Sequence, residues 1–211
     1  PRLRQAVAAF ARRDLEPAEA LRWRWLAGRS AGFIWEYEAW DLLTAHHIRA
    51  ARDAGMLAEL PLALNTRAGV YLLAGDTDAA AALVNEADAL AKATGDGIGP
   101  RYGALALAAH RGRDDELTRL IPAATEDFLA RGEGLGITAM NWLTAMLSNS
   151  VGRYDEAFAA ATEATRIPGE VWFSTFARVE LVEAACRSGR HDEGVAALAA
   201  LSASTSASAT P

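Results

Sequence analysis

Apolar residues recur at every third or fourth position over most of the chain, which is the spacing of one face of an α-helix. Two sets show the spacing plainly: Leu83, Ala87 and Leu90, and then Leu117, Leu120, Ala124 and Phe128. Neither the alternation of a half-buried strand nor the paired turn signals of a β-hairpin are found. The pattern therefore predicts an all-α protein.

A glycine followed by acidic residues returns four times and divides this pattern into segments. These first-series glycines, at separations of 37, 40 and 37 residues, are Gly75, Gly112, Gly152 and Gly189. A second series interleaves with the first at separations of 40, 37 and 37 residues: Gly55, Gly95, Gly132 and Gly169. Because glycine readily adopts the left-handed conformation that ends helices, two glycines per period predict two helices, A and B, separated by turns. We expect the acidic residues to cap the B helices.

Four positions relative to the first-series glycine hold small or apolar residues in every repeat. They lie seven residues before it and five, nine and twelve after it. The sixteen residues are Ala68, Leu105, Ala145, Val182, Ala80, Leu117, Ala157, Gly194, Val84, Ile121, Ala161, Leu198, Ala87, Ala124, Ala164 and Leu201. Closely packed helix pairs need such residues at their contacts, so we predict a right-handed α-solenoid of about eleven helices.

The predicted boundaries follow from the glycines. Five units cover about residues 16–54, 58–94, 99–131, 135–167 and 172–201, and a helix at 2–13 precedes them, within a single domain over 1–201. In the first unit we expect an A helix at Pro17–Gly28, a longer loop at Arg29–Ile34 and a B helix from about Glu38 to Ala54. We expect residues 202–211 to form a flexible tail, and we interpret both ends of the chain as cuts in a longer protein.

Composition and charge narrow the class of protein. The formal net charge of −6 argues against direct binding of nucleic acid, because phosphate contacts need a basic surface. No apolar run reaches the roughly 18 residues of a membrane span, and no signal peptide is apparent, so we expect the cytoplasm. The single cysteine, Cys186, excludes an internal disulfide and is expected to be a small buried residue.

No set of residues predicts catalysis, so we expect no enzyme activity, no cofactor and no metal. The acidic clusters recur at the same place in successive repeats, which favours capping over a catalytic role. His46 and His47 point about 100° apart on a helix and cannot face one metal ion. We expect these two histidines, His110 and His191 at the surface or at helix ends. The nucleophile motif Gly-x-Ser-x-Gly is not found.

The motif Gly152-Arg153-Tyr154-Asp155-Glu156-Ala157 and the period resemble the tetratricopeptide repeat, whose usual period is about 34 residues. Together with the stretches Trp25–Gly32, Ala51–Gly55 and Leu60–Arg67, the motif also resembles the helical middle region of large LuxR-family transcription regulators of actinobacteria, the class of the maltose-regulon activator. That resemblance implies a signal-sensing or interaction segment, with nucleotide-binding and DNA-binding domains outside this sequence. The alternative is a free-standing tetratricopeptide-like scaffold that binds proteins.

The resemblance to tetratricopeptide arrays implies that the A helices line a concave groove. A position that faces this groove lies ten residues before each first-series glycine and holds Asn65, Tyr102, Trp142 and Val179. Aromatic, amide and thioether groups suit a peptide or a small molecule of mixed polarity. We predict a groove for an effector or a protein partner that is lined by Asn65, Tyr102, His110, Trp142, Met146 and Asn149. The aromatic residues near Trp35 are expected to wedge the long first turn.

Overall fold

The computed structural model describes residues 2–12, 17–94, 101–167 and 169–208, and nearly all of them lie in helices. Within these ranges the chain forms eleven α-helices and no strand. They are α1 Arg2–Arg12, α2 Pro17–Phe33, α3 Tyr37–Asp53, α4 Leu60–Leu73, α5 Thr77–Thr94, α6 Arg101–His110, α7 Asp114–Ala130, α8 Gly134–Ser150, α9 Tyr154–Ala164, α10 Phe173–Arg187 and α11 His191–Ser208. The prediction of an all-α protein with about eleven helices is confirmed for this part of the chain.

Helix packing divides the chain into two compact units, the first ending at Gly103 and the second beginning at Ala104. In the first unit α2 packs on α3, α3 on α4 and α4 on α5. In the second unit α7 packs on α8 and α8 on α9, while α10 packs on both α8 and α9 as well as on α11. The second unit therefore stacks one repeat on both helices of the repeat before it. The single domain and the right-handed solenoid stay predictions.

Six glycines of the two series end helices as predicted, whereas Gly169 lies in the turn after α9, which ends at Ala164. All seven that the structure describes have φ between 64° and 86°, and Gly95 lies outside the described residues. At Gly152 the glycine N–H donates to the carbonyl of Asn149 and the next N–H, of Arg153, donates to the carbonyl of Ser148, at 3.1 and 2.8 Å. This pair of bonds is the Schellman motif. The same pair is present at Gly55, Gly75, Gly112, Gly132 and Gly189.

The first turn differs from the prediction, because α2 continues through most of the expected loop at Arg29–Ile34. Gly28 lies inside the helix, where an added Cβ would be 3.7 Å from atoms of Leu43 and Thr44 on α3. Gly28 therefore does not end a helix, and a Cβ there would make ordinary van der Waals contact with α3. Helix α2 ends at Phe33, and Trp35, which has a φ of 59°, takes the place that glycine holds after α3, α4, α6, α7, α8 and α10.

The end of the described chain also differs from the prediction. Residues 202–208, expected to belong to a flexible tail, continue α11 as helix, whereas 209–211 lie outside the described residues. The hydroxyls of Ser204 and Thr205 both donate to the carbonyl of Leu201, at 2.8 and 3.1 Å. Because these side chains bond within their own helix and alanine is the best helix former, a Ser/Ala-rich sequence is compatible with helix here.

The sixteen aligned positions form much of the core. Twelve of them are buried; Ile121, Val182 and Leu201 are half-buried, and Leu198 is 50% exposed. The alignment therefore predicts burial well except in the repeat of α10 and α11, which holds three of the four exceptions.

Two single residues were placed wrongly by the sequence analysis. Cys186 is exposed, because Ala184 and Ala185 take the buried positions of α10 and the next residue points away from them. His47 is only 2% exposed, although we expected it at the surface. Burial, with a smaller contribution from Arg24, lowers the pKa of His47 to about 4, so the ring is neutral at neutral pH. His110 ends α6 and His191 begins α11, as predicted.

Close packing at Gly136 gives a direct test of the fold. A Cβ added there would lie 2.4 Å from the ring of Phe128, which is fully buried on α7. We expect Gly136→Ala to lower the free energy of unfolding by about 1–3 kcal/mol, even though alanine favours helices over glycine. Gly134→Ala is the matched control in α8, because its Cβ would have no atom within 4 Å. Urea denaturation measures both, and equal effects would contradict the packing of α7 on α8.

Candidate functional site

Five aromatic rings gather in the second unit around Trp142 of α8. The indole ring stacks on Phe173 and Phe176 of α10, with ring centroids 5.6 and 5.2 Å apart. The ring of His110, at the end of α6, approaches the indole edge-on at 6.3 Å. Trp172 meets both phenylalanines edge-on, at 6.3 and 5.8 Å. Three successive A helices therefore contribute to one aromatic cluster.

The start of α10 is fixed by the side chain of Glu170. Its carboxylate accepts hydrogen bonds from the backbone N–H groups of Trp172, Phe173 and Ser174, at 2.7, 3.1 and 2.7 Å. These are free N–H groups at a helix N-terminus, where an anion is also favoured by the helix dipole. Phe173 and Phe176 are three residues apart and share a helix face. Glu170 therefore caps the N-terminus of α10, the helix that carries both phenylalanines.

A polar pair lies further along the same two helices. The Nδ2 of Asn149 donates to the main-chain carbonyl and to the carboxylate Oε2 of Glu180, both at 3.0 Å. The Oδ1 of Asn149 is buried without a hydrogen-bond partner. Asn149 follows Trp142 by seven residues and Glu180 follows Phe176 by four, so the pair shares helix faces with the aromatic cluster. The site therefore has an aromatic end and a polar end.

Burial raises the pKa of the Glu180 carboxyl above its ordinary value. The hydrogen bond from Asn149 opposes this shift, while the negative charge of Glu183 adds to it. The carboxyl is therefore held where its charge is poorly solvated, and a hydrogen-bond donor or a cation beside it would be favoured.

The aromatic cluster is only partly covered. Trp142 is 7% exposed, but His110, Phe173 and Phe176 are half-buried, and Val179 on the next turn of α10 is 48% exposed. Aromatic groups at the surface are enriched at binding interfaces, where they bury a large area at a small cost in conformational entropy. The face of α8 and α10 is therefore the candidate site of the second unit.

The predicted groove residues fall into both units. His110 and Trp142 are in ring contact, Asn149 forms the polar pair, and Met146 lies half-buried on α8 between Trp142 and Asn149 in sequence. The structure thus places four of the six predicted residues on or beside one site.

The other two predicted residues, Asn65 and Tyr102, lie in the first unit. Asn65 is 9% exposed, and its Nδ2 donates to the carbonyl of Pro61 in its own helix at 2.9 Å. A Cβ added at Gly103 would lie 1.9 Å from its Oδ1, so Asn65 fills the space beside that glycine. Tyr102 is half-buried beside Gly103.

Several residues of the site were missed by the sequence analysis: Glu170, Trp172, Phe173, Phe176 and Glu180. Counting ten residues back from each first-series glycine selects one position per A helix, and on α10 that position is Val179. The aromatic run after Gly169 was a usable signal, because two phenylalanines three residues apart share one helix face.

The acidic residues after the first-series glycines form ion pairs between successive repeats. Arg153 donates two hydrogen bonds to the carboxylate of Asp114, at 2.8 and 2.7 Å, and Arg190 donates one to Asp155 at 2.7 Å. Each arginine directly follows its glycine, and each aspartate lies in the first turn of the preceding B helix. The hydrogen bonds from Arg153 lower the pKa of Asp114.

Side-chain capping is rarer than we expected. The N-cap residues of α7 and α9 are Arg113 and Arg153, and neither makes a capping hydrogen bond. Asp76 does cap α5, because its Oδ1 accepts from the N–H of Ala79 at 3.0 Å. The acidic residues of α7 and α9 still lie in the first turn, where the helix dipole favours them.

Neither a metal site nor a membrane-spanning helix is found in the ranges that the structure describes. No three side chains of His, Cys, Asp or Glu come together there as a metal site. None of the described helices is long and apolar enough to cross a bilayer. Comparisons with models of protein families, with curated proteins and with solved structures found no match to this chain.

The pKa of Glu180 gives a test of the polar pair. Because the folded protein holds this proton more tightly than the unfolded chain does, the stability it contributes is present at low pH and is lost as the pH rises above the ordinary value of 4.5. We expect Glu180→Gln, which stays neutral, to gain stability relative to the unsubstituted protein between pH 4 and pH 7.

Glu126→Gln, on the exposed side of α7, is the matched control and should follow the unsubstituted protein across this range. Urea denaturation at several pH values measures the difference. A Glu180→Gln profile parallel to that of the unsubstituted protein would show that the carboxyl is not held in a poorly solvated place.

Proposed function

We propose that the second unit binds a ligand that combines an aromatic or apolar group with a cationic hydrogen-bond donor. The observation that carries this proposal is the partly uncovered aromatic cluster beside the Asn149–Glu180 pair. The half-buried rings of Phe173 and Phe176 can pack against the apolar group. The carboxylate of Glu180, itself half-buried, can accept from the donor. A small molecule or a peptide with an amine or guanidinium group fits this chemistry.

We further propose that the chain is the signal-sensing segment of a cytoplasmic LuxR-type transcription regulator of an actinobacterium. In this proposal the repeats form a right-handed α-solenoid whose A helices line a concave face, and other domains bind nucleotide and DNA. Support comes from the resemblance of the sequence stretches described above and from the negative net charge. A ligand between α8 and α10 would contact two successive repeats, so its binding would bias how they pack.

A free-standing scaffold that binds proteins is the second candidate. It is favoured by the same half-buried aromatic rings, since tryptophan and phenylalanine are enriched at protein interfaces. The two candidate functions differ in the size of the binding partner. They also differ in whether a small molecule alone stabilises the protein.

A thermal-shift screen tests the proposal. The panel holds aromatic amines, dipeptides that pair an aromatic with a basic residue, sugars, nucleotides and small acids. We expect only compounds with both a ring and a cationic donor to stabilise the protein, by about 5–10 °C at a hundred times their Kd. Nucleotides and acids should fail, because their charge has the same sign as that of Glu180.

Variants then locate the site for any compound found. Val179→Lys, which repels the cation, and His110→Ala should each weaken binding about tenfold, a loss of about 1.4 kcal/mol. Leu129→Lys is the control, because this residue is 66% exposed on α7, a helix that contributes no ring to the cluster. Unchanged affinity in Val179→Lys and His110→Ala would place the ligand elsewhere. A panel without any hit, together with tight binding of a purified protein, would favour the scaffold.

A further inference from the structure

The outer surface of α11 exposes apolar side chains next to acidic ones. We define it by His191, Asp192, Val195 and Leu198, all of them exposed, with Val195 at 68% and Leu198 at 50%. Repeat proteins need a polar outer face where a stack of repeats ends. At Val195 and Leu198 the outer surface of α11 is apolar instead.

The residues of this surface have counterparts on α9 in the preceding repeat. Counted from the first-series glycine, Val195 corresponds to Phe158 of α9, and the guanidinium of Arg190 lies over the ring of Phe158 at 4.6 Å. Asp192 corresponds to Asp155, which pairs with that same arginine. The third correspondence is between Leu198 and Ala161, which is fully buried.

The cover of α9 comes from the following repeat. Helix α10 packs on α9, its Arg187 lies over the ring of Tyr154 at 5.8 Å, and Arg190 follows the glycine that ends α10. This interface is therefore formed by an A helix and by an arginine that directly follows the glycine at the end of that helix.

Helix α10, the A helix that pairs with α11, also has a core position that is only partly covered. Val182 on α10 is half-buried, whereas the residues at the corresponding place in three earlier repeats have no exposed surface: Ala68, Leu105 and Ala145. Both helices of this pair therefore have core positions that are less covered than those of the repeats before them.

We propose that the outer surface of α11 is the uncovered half of a repeat-to-repeat interface. Its occupant is a helix hairpin of the same repeat type that carries an arginine directly after its turn glycine. That arginine would bind Asp192 and lie against Val195, as Arg190 does at Asp155 and Phe158. The first helix of the hairpin would cover Leu198. The proposal does not depend on the ligand site.

A chain extended by one repeat tests this proposal. Residues 202–211 are replaced by a copy of residues 165–208, which keeps the register because Leu201 and Ala164 both lie twelve residues after their glycines. We expect the extended chain to have a Tm several degrees higher. Val195→Asp should lower the Tm by several degrees in the extended chain and by less than about one degree in the original chain.

Ala199→Asp is the matched control, because Ala199 is exposed on α11 and corresponds to Thr162, which stays exposed on α9. Its loss of helix propensity should lower the Tm slightly and by the same amount in both chains. Equal effects of Val195→Asp and Ala199→Asp in the extended chain would overturn the proposal. So would an effect of Val195→Asp that is the same in both chains.

Hydrogen exchange on the original chain tests the same proposal even if the extended chain does not fold. We expect the amides in the middle of α11 to exchange about tenfold faster than those of α9, since α9 is covered by a following repeat. In the extended chain the protection of α11 should rise to that of α9. Equal protection of α9 and α11 in the original chain would overturn the proposal.

Discussion

A glycine with positive φ closes the turns between helices, and the arrangement of both units depends on it. A side chain in this conformation costs about 1–2 kcal/mol, so the place of the glycine sets where one helix ends and the next begins. The arginine that follows Gly152 or Gly189 then reaches the acidic residue of the preceding repeat. Gly169 also has a positive φ, and the Glu170 that follows it caps the N-terminus of α10, the helix whose two phenylalanines stack on Trp142.

Features that depend on nearby residues were predictable from the sequence. The glycine series predicted the turns, and apolar spacing predicted the helices, because a helix end is decided by residues within one turn of it. Gly28 shows the limit of this rule. Gly28 lies within α2 without a positive φ, so a glycine in the sequence does not by itself mark a helix end. The burial of His47 and the exposure of Cys186 depend on which neighbouring helix faces them.

The candidate site was only partly predictable for a related reason. One position per A helix selected Trp142, but the residues that stack on it come from a different position of α10. Which two faces meet depends on how one repeat packs on the next. Asn149 was selected as a groove residue, yet its partner Glu180 lies 31 residues further along the chain. No local pattern links the two residues.

The period from glycine to glycine is the structural unit on which both the turns and the ion pairs between repeats depend. Deleting residues 153–189 removes one full period and joins Gly152 to Arg190, which can then pair with Asp114 as Arg153 does. Deleting residues 170–189 removes only α10 and its turn. Thermal unfolding followed by circular dichroism compares the two. We predict cooperative unfolding and an unchanged helical signal per residue for the full-period deletion, and loss of both for the single-helix deletion. Cooperative unfolding of both, or of neither, would contradict the account.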